Sequence, residues 1–230
     1  MFIDEIAVLK PAFELESAVN ITIKNHDNYV SRGAYKLVKG LDEFGINVEG
    51  KFVLDMGAST GGFTQVLLEK GASKVYSVDV GKGELDIGLR GDERVVNMEG
   101  RDIRTLSKKE VGEVKLVVGD LSFISLQNIL PHIKAILGKI EMVLLFKPQF
   151  ECGKVLAKKY KGIIKDKVIH KKLLKEFADY LNILDFSFSN LTFSPIKGGS
   201  GNIEYLLHLN GEKKERFNIE SIVDDAFNLL

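Results

Sequence analysis

Apolar residues recur along this chain in two rhythms. The runs KFVLDM, KVYSVDV, RVVNME, VKLVVGD and EMVLLFK are apolar on both faces. Between them lie stretches of helical or mixed spacing, notably Phe63 to Lys70, Ser125 to Leu137 and Lys167 to Ile183. Strands that bury both faces and alternate with helices predict a parallel sheet held between helical layers. Towards the end, FSFSNLTFSP and NIEYLLHL have no helix between them. They predict an antiparallel hairpin at one edge, giving an α/β chain with a mainly parallel seven-stranded sheet and helices on both faces. NIESIVDDAFNLL predicts a closing amphipathic helix.

Upstream, Ser31 is placed to cap a helix whose inner face carries Ala34, Leu37, Leu41 and Phe44 and which Gly45 closes. Lys36 is expected beside that stripe, outside it. Residues 1–29, with the strand-like AVNITIK, read as an N-terminal arm too small to form its own core, and residues 30–230 as the main domain.

Composition narrows the classes. An apolar share of 45% and a charged share of 28% over 230 residues suit a globular protein. Lys plus Arg equals Asp plus Glu at 32 each, so only a local patch, not overall charge, can argue for nucleic acid. One such patch lies between Glu151 and Lys175, where nine lysines face only Glu151 and Asp166. It reads equally as a phosphate-attracting surface and as the solvated face of a helix. Cys152 is the one cysteine and has no internal disulfide partner, which fits a reducing compartment and a cytoplasmic protein. No signal peptide and no apolar run approaching ~20 residues is present, so no membrane span is expected. The four histidines are scattered without ligand spacing, and no metal site is expected.

The strongest local signal is VLDMGASTGGFTQVLLEKG: a strand ending at Asp55, a turn with Gly57, Gly61 and Gly62, and a helix closing at Gly71. About 20 residues on, VYSVDV brings Asp79 to a strand end, where its carboxylate suits the hydroxyls of a ribose. A dinucleotide would set its pyrophosphate on the helix N-terminus and has no use for an acid in the turn. S-adenosylmethionine has no phosphate and carries a cationic sulfonium and amino group, which Asp55 favours. A tight turn without a ligand is the bland alternative. The candidate cofactor-binding residues are Asp55, Gly57, Ala58, Ser59, Gly61, Gly62, Phe63, Asp79 and, near the adenine edge, Asp102. A further question comes from MVLLFKPQFECGK: why an apolar run should end on the charge of Lys147, followed at once by Pro148.

YVSRGAYKL, the glycine-rich block, LVVGDLSFISL, LFKPQFECGK and GNIEYLLHL, in this order over about residues 29 to 209, resemble the TlyA-type haemolysin-like RNA methyltransferases, relatives of the FtsJ group. The resemblance implies a Rossmann-like S-adenosylmethionine-dependent methyltransferase fold and ribose 2′-O-methylation of ribosomal RNA, with cytidine as the base. It implies a catalytic quartet of Lys36, Asp120, Lys147 and Glu204, with ribosomal RNA or a ribosomal subunit as partner. It also makes the arm a remnant of an S4-type RNA-binding domain, with most of that module absent. Two lysines and two carboxylates suit the reaction, because a 2′-hydroxyl must be oriented, deprotonated and stabilised as oxygen charge develops. In this reading Lys147 is the proton acceptor or main oxygen-stabilising group. The alternatives are a haemolysin-like protein, or an RNA-binding protein with the fold but little unaided activity.

Overall fold

The computed structural model describes residues 29–211 and 217–230, and the backbone of three two-residue strands before them. These are β1 (Phe2–Ile3), β2 (Ile6–Ala7) and β3 (Ile21–Thr22), paired antiparallel in the order β2-β1-β3. The rest of the expected N-terminal arm lies outside the described residues, apart from Tyr29.

The main sheet is built from β4 (Phe52–Met56), β5 (Lys74–Asp79), β6 (Val95–Glu99), β7 (Leu116–Gly119), β8 (Glu141–Phe146), β9 (Phe188–Phe193) and β10 (Tyr205–Leu209). Their order is β6-β5-β4-β7-β8-β10-β9. The first five in this row run parallel, and β10 pairs antiparallel with both β8 and β9. The seven-stranded sheet with its antiparallel edge is therefore as the apolar pattern predicts. From β4 the chain winds outward through β5 to β6, then returns to the other side of β4 to form β7. Adjacent connections diverge there and leave a crevice at the carboxyl ends of β4 and β7, the place where open α/β sheets hold ligands.

Side chains alternate between the two faces of each strand. Val53, Val75, Val118, Val143 and Leu206 pack on one face with α1 (Ala34–Phe44) and α2 (Gly62–Glu69). Leu54, Met56, Val117, Leu144, Phe146 and Leu207 pack on the other, against α5 (Leu130–Leu137), α8 (Lys167–Ile183) and α9 (Ile219–Leu229). Both faces are dry, which is why the strands read as continuous apolar runs. Shorter helices fill the connections: α3 (Ile87–Arg90), α4 (Lys108–Val111), α6 (Pro148–Glu151) and α7 (Gly153–Lys159).

Three local expectations need correction. Ser31 does not cap α1: Gly33 is the N-cap, without a side-chain cap bond, while Gly45 closes the helix with a left-handed φ of 64° as expected. The helix expected over Ser125 to Leu137 is broken into a 3₁₀ turn, Leu126–Asn128, and α5. Pro131 lies in the first turn of α5, where its missing N–H costs nothing; inside a continuous helix it would leave a bond unmade. The glycine-rich strand ends at Met56, one residue beyond Asp55. Among the described residues, no helix is long and apolar enough to cross a membrane.

Candidate active site

Lys147 follows the last residue of β8 and has an extended backbone, φ −115° and ψ 100°, as the residue before a proline prefers. Pro148 then opens α6 at a position that needs no N–H donor. The dipeptide thus stops the strand and fixes Lys147 at its carboxyl end. Asp120 follows β7 on the neighbouring strand, and its N–H donates to the Met56 carbonyl at 3.0 Å. Glu204 immediately precedes β10, whose Tyr205 pairs with Phe146. Lys36, in the first turn of α1, completes the set.

These four side chains meet. Lys36 Nζ donates to Glu204 Oε2 at 2.8 Å and to Asp120 Oδ2 at 3.3 Å. Lys147 Nζ forms an ion pair with Asp120 Oδ1 at 2.6 Å and donates to Ser122 Oγ at 2.9 Å. Gln149 Nε2 reaches Glu204 Oε1 at 3.4 Å. Lys36, Lys147 and Glu204 are buried, at 7%, 6% and 2% exposure. Such burial is costly unless charges are paired, and here each is. Burial by itself pushes the Lys36 pKa down, but the carboxylates of Asp120 and Glu204 outweigh it and hold the pKa above the usual lysine value. Lys36 is therefore an ammonium at neutral pH. Lys36 lies beside the apolar stripe of α1 as expected, and it is nonetheless buried, its ammonium covered by the two carboxylates.

Two cavities open on this cluster. One, of about 760 Å³, is lined by all four members and by Ser31, Arg32, Ala58, Gly62, Phe63, Gln149, Phe150 and the segments 161–163 and 196–200. The other, of about 590 Å³, lies over the carboxyl ends of β4 and β5 and is lined by Val78, Asp79, Val80, Gly81, Glu84, Arg101, Asp102 and residues 120–124. Gly57, Ser59, Asp120, Ser122 and Phe123 border both. The cavities thus meet beside the Lys147–Asp120 pair.

The glycine-rich turn shapes that meeting point. Gly57 has φ +83°, and a Cβ there would fall 3.0 Å from the Asp120 carbonyl oxygen, so only glycine lets β4 and β7 close the crevice floor. Gly61, at φ +100°, lines neither cavity; a Cβ there would meet Leu89 at 2.3 Å and Leu85 at 2.8 Å, so its role is packing. Asp79 lines the smaller cavity and accepts from the Ser59 and Gly81 N–H groups, each at 2.8 Å. Those bonds orient its carboxylate and leave further lone pairs for a ligand. Asp102 also lines that cavity, but its side chain caps the turn at Arg104 and pairs with that guanidinium at 2.5 Å, which draws its pKa down to about 2.

Asp55 corrects the sequence reading. It is fully buried and borders neither cavity. Strand alternation points it to the α2 face, where the Thr64 hydroxyl donates to Oδ2 at 2.7 Å and is itself 2.7 Å from Ser77 Oγ. No cation is paired with it and Oδ1 has no hydrogen-bond partner among the described residues. Burial, opposed by Thr64, pushes its pKa up to about 7. It supports the turn from below.

Sequence reasoning missed Ser122, Gln149, Phe123 and Phe150, although all four lie inside the DLSFIS and KPQFE blocks. Phe123 is the clearest omission: it is 91% exposed, has a left-handed φ of 64° and lies 5.2 Å from the Phe150 ring. The lysine-rich segment divides. Lys167 and Lys171 pair with Asp224, Lys171 and Lys175 with Glu220, and Lys172 with Glu176, so this half is an ion-paired helix face. Lys161 borders the larger cavity. Cys152 is a buried free thiol whose pKa is raised by burial, and it borders neither cavity. Among the described residues no group of three or more His, Cys, Asp or Glu is placed to hold a metal ion.

A mainly parallel sheet reversing its winding between β4 and β7, with a glycine-rich turn and two joined cavities at that point, defines a Rossmann-like fold. The profile of the FtsJ-like methyltransferase family matches residues 29–211, and the chain belongs to that family. It is 42% identical over 211 residues to the Hemolysin A of Brachyspira hyodysenteriae, spanning 90% of this chain and 88% of that one. It is 38% identical over 226 residues to the 16S/23S rRNA (cytidine-2′-O)-methyltransferase TlyA of Mycobacterium tuberculosis, spanning 96% and 84% of the two chains. Among solved structures it resembles a "putative hemolysin" from Lactococcus lactis, with a TM-score of 0.78, 44% identity and coverage of 86% and 97%.

Proposed function

We propose that the protein is an S-adenosylmethionine-dependent methyltransferase acting on the ribose 2′-oxygen of ribosomal RNA, with cytidine as the target base, in the cytoplasm. The observation that carries this reading is the meeting of Lys36, Asp120, Lys147 and Glu204 in a cavity suited to the acceptor, joined at Asp120 to a second cavity suited to the donor.

The charge of the smaller cavity supports the donor. Its two guanidinium groups are neutralised, Arg104 by Asp102 and Arg101 by Glu110 at 2.6 Å. Asp79 and Glu84 have no cation partner among the described residues, so the cavity is suited to a cation and lacks a free positive group for a pyrophosphate. In this arrangement Asp79 holds the ribose hydroxyls and the acidic lining favours the positive end of the cofactor. Bound there, S-adenosylmethionine supplies an electrophilic methyl group.

The acceptor nucleotide occupies the larger cavity, its 2′-hydroxyl directed between Lys147 and Asp120. Lys147, starting as the neutral amine, takes the hydroxyl proton as the oxygen attacks and becomes the ammonium that pairs with Asp120. Asp120 orients Lys147 through the 2.6 Å ion pair, and Ser122 fixes the same ammonium from another side at 2.9 Å. Lys36, kept charged by Asp120 and Glu204, supplies a positive field for the negative charge that grows on the oxygen. Burial of the cluster strengthens these interactions by excluding water. Phe123, exposed where the cavities join, offers a flat apolar face of the kind on which nucleobases stack. The test is transfer of labelled methyl from S-adenosylmethionine to unmethylated 16S and 23S ribosomal RNA or to ribosomal subunits. Failure to bind the cofactor even at millimolar concentration would refute the assignment.

A further inference from the structure

The larger cavity has a second set of charges that the transfer chemistry does not use. Lys161 and Lys197 border it on separate loops, the first following α7 and the second joining β9 to β10. Both are exposed, and neither has an ion-pair partner among the described residues, whereas Lys167, Lys171, Lys172 and Lys175 nearby in sequence are all paired.

The loops carrying them are tied together by buried polar side chains. Asn202, 3% exposed, donates from Nδ2 to the Gly162 carbonyl at 2.9 Å and accepts from the Ile164 N–H on Oδ1 at 3.0 Å. Its own carbonyl accepts from the Gly198 N–H at 2.9 Å. One residue therefore secures both loops, each within a residue of its lysine. His170, fully buried, donates from Nε2 to the Ile164 carbonyl at 2.9 Å while its Nδ1 accepts from the Tyr205 hydroxyl at 2.8 Å. Burial lowers the His170 pKa, consistent with this neutral tautomer. Lys161 itself has a left-handed φ of 50°, as the residue that closes a helix often does: its N–H donates to the Lys158 carbonyl at 3.3 Å and the Gly162 N–H to the Ala157 carbonyl at 3.0 Å. The end of α7 together with buried Asn202 and His170 thus fixes the backbone that presents an exposed lysine at the rim of the acceptor cavity.

The geometry points to Lys161 and Lys197 as a phosphate clamp that grips the RNA backbone beside the target nucleotide. This rests on the reading of the larger cavity as the acceptor site. Loops joined through one residue hold the two lysine backbones in a fixed relation, from which both ammonium groups can reach along one strand. Lysine suits the task because phosphate contacts set register without reading sequence.

The experiment is a salt titration of binding to unmethylated 16S and 23S ribosomal RNA by the full chain and by K161A, K197A and the double variant, with K172A as the paired-lysine control. Cofactor affinity is measured on every protein. Each lost phosphate contact is expected to lower the slope of log K against log salt by about 0.7 on single-stranded RNA. The double variant is expected to lose about 1.4 from the same cause, with cofactor affinity unchanged and K172A matching wild type. Wild-type slope and affinity in the double variant, with methylation intact, overturn the clamp and leave the proposed function standing. An equal loss in K172A also overturns the clamp, since it would show a general charge effect. A wild-type chain that binds cofactor but neither binds nor methylates these RNAs overturns the acceptor reading and the clamp with it.

Discussion

The strands β8 and β10 carry an ionic cluster at each of their ends, and the two clusters differ in what surrounds them. At one end Lys147 and Glu204 meet Lys36 and Asp120 on the wall of the larger cavity, and Asp120 also borders the smaller one. At the other, Glu141 accepts from Lys51 Nζ at 3.2 Å and from His208 Nε2 at 3.0 Å, with His208 stacked on Phe44 at 5.2 Å. That second cluster borders neither cavity. Both join residues far apart in sequence, so convergence of charged groups does not by itself make a site. What distinguishes the first end is that the winding of the sheet reverses there and leaves the backbone open between β4 and β7. The groups at that end can contact a ligand, and those at the other can only join the structure to itself.

Substitutions should separate the two ends. K147A is expected to lower methyl transfer by about a thousandfold, as loss of a positioned proton acceptor and its charge would. Calorimetry should find S-adenosylmethionine affinity within about threefold of wild type, because Lys147 borders only the larger cavity. Transfer within threefold of wild type would remove Lys147 from the chemistry.

Asp55 sharpens the contrast at the site end itself, as a carboxylate one strand away from Asp120 and without its lysines. Its folded-state pKa is raised from 3.8 to about 7. Between these values the folded chain keeps a proton that the unfolded chain has released, so stability falls as pH rises through this window. The contribution is largest below the unfolded value and gone above about pH 7. The slope due to this group approaches about 1.4 kcal/mol per pH unit. Denaturant unfolding of D55N should show that slope removed relative to wild type; parallel pH profiles would contradict the buried, unpaired state.

A smaller effect is expected at the cofactor side. D79A removes the acceptor that orients the Ser59 and Gly81 N–H groups and a wall of the smaller cavity. Cofactor affinity should fall at least tenfold, from the loss of one or more charge-assisted hydrogen bonds worth roughly 1.5–3 kcal/mol each. Affinity equal to wild type would move the ribose elsewhere. The smallest change belongs to the opposite end of the sheet: E141Q should cost about 1 kcal/mol of stability by denaturant melts, in keeping with a partly exposed ion pair, and leave methyl transfer within about twofold. A large loss of activity in E141Q would erase the distinction between the two ends.

Much of the fold is legible in the sequence, because dry sheets impose a local signature. Runs such as EMVLLF are apolar at every position since each face has its own helical layer, and Lys167–Ile183 shows its helix through the spacing of Leu173, Leu174, Phe177 and Leu181. Helix starts were less legible: Pro131 marks a beginning inside what reads as one continuous helix. The site was legible only in its parts. Lys36 lies 84 residues from Asp120 and 168 from Glu204, and no periodicity reports pairs so distant; the resemblance of several blocks in order supplied them. The local reading fails at Asp55, because nearness to a strand end does not mean facing the ligand: strand alternation turns that side chain towards α2. It also misses Asn202 and His170, whose hydrogen bonds go to backbone groups and, for His170, to the Tyr205 hydroxyl, partners that no residue pattern reveals.

The most direct test of the account is to treat unmethylated ribosomal RNA with the protein and S-adenosylmethionine and map the modified position by resistance to alkaline cleavage. The account predicts a protected linkage at a cytidine, dependent on the protein and absent with K147A. Methyl incorporated into a base with every linkage still cleavable, or no incorporation by a chain that binds the cofactor, would contradict it.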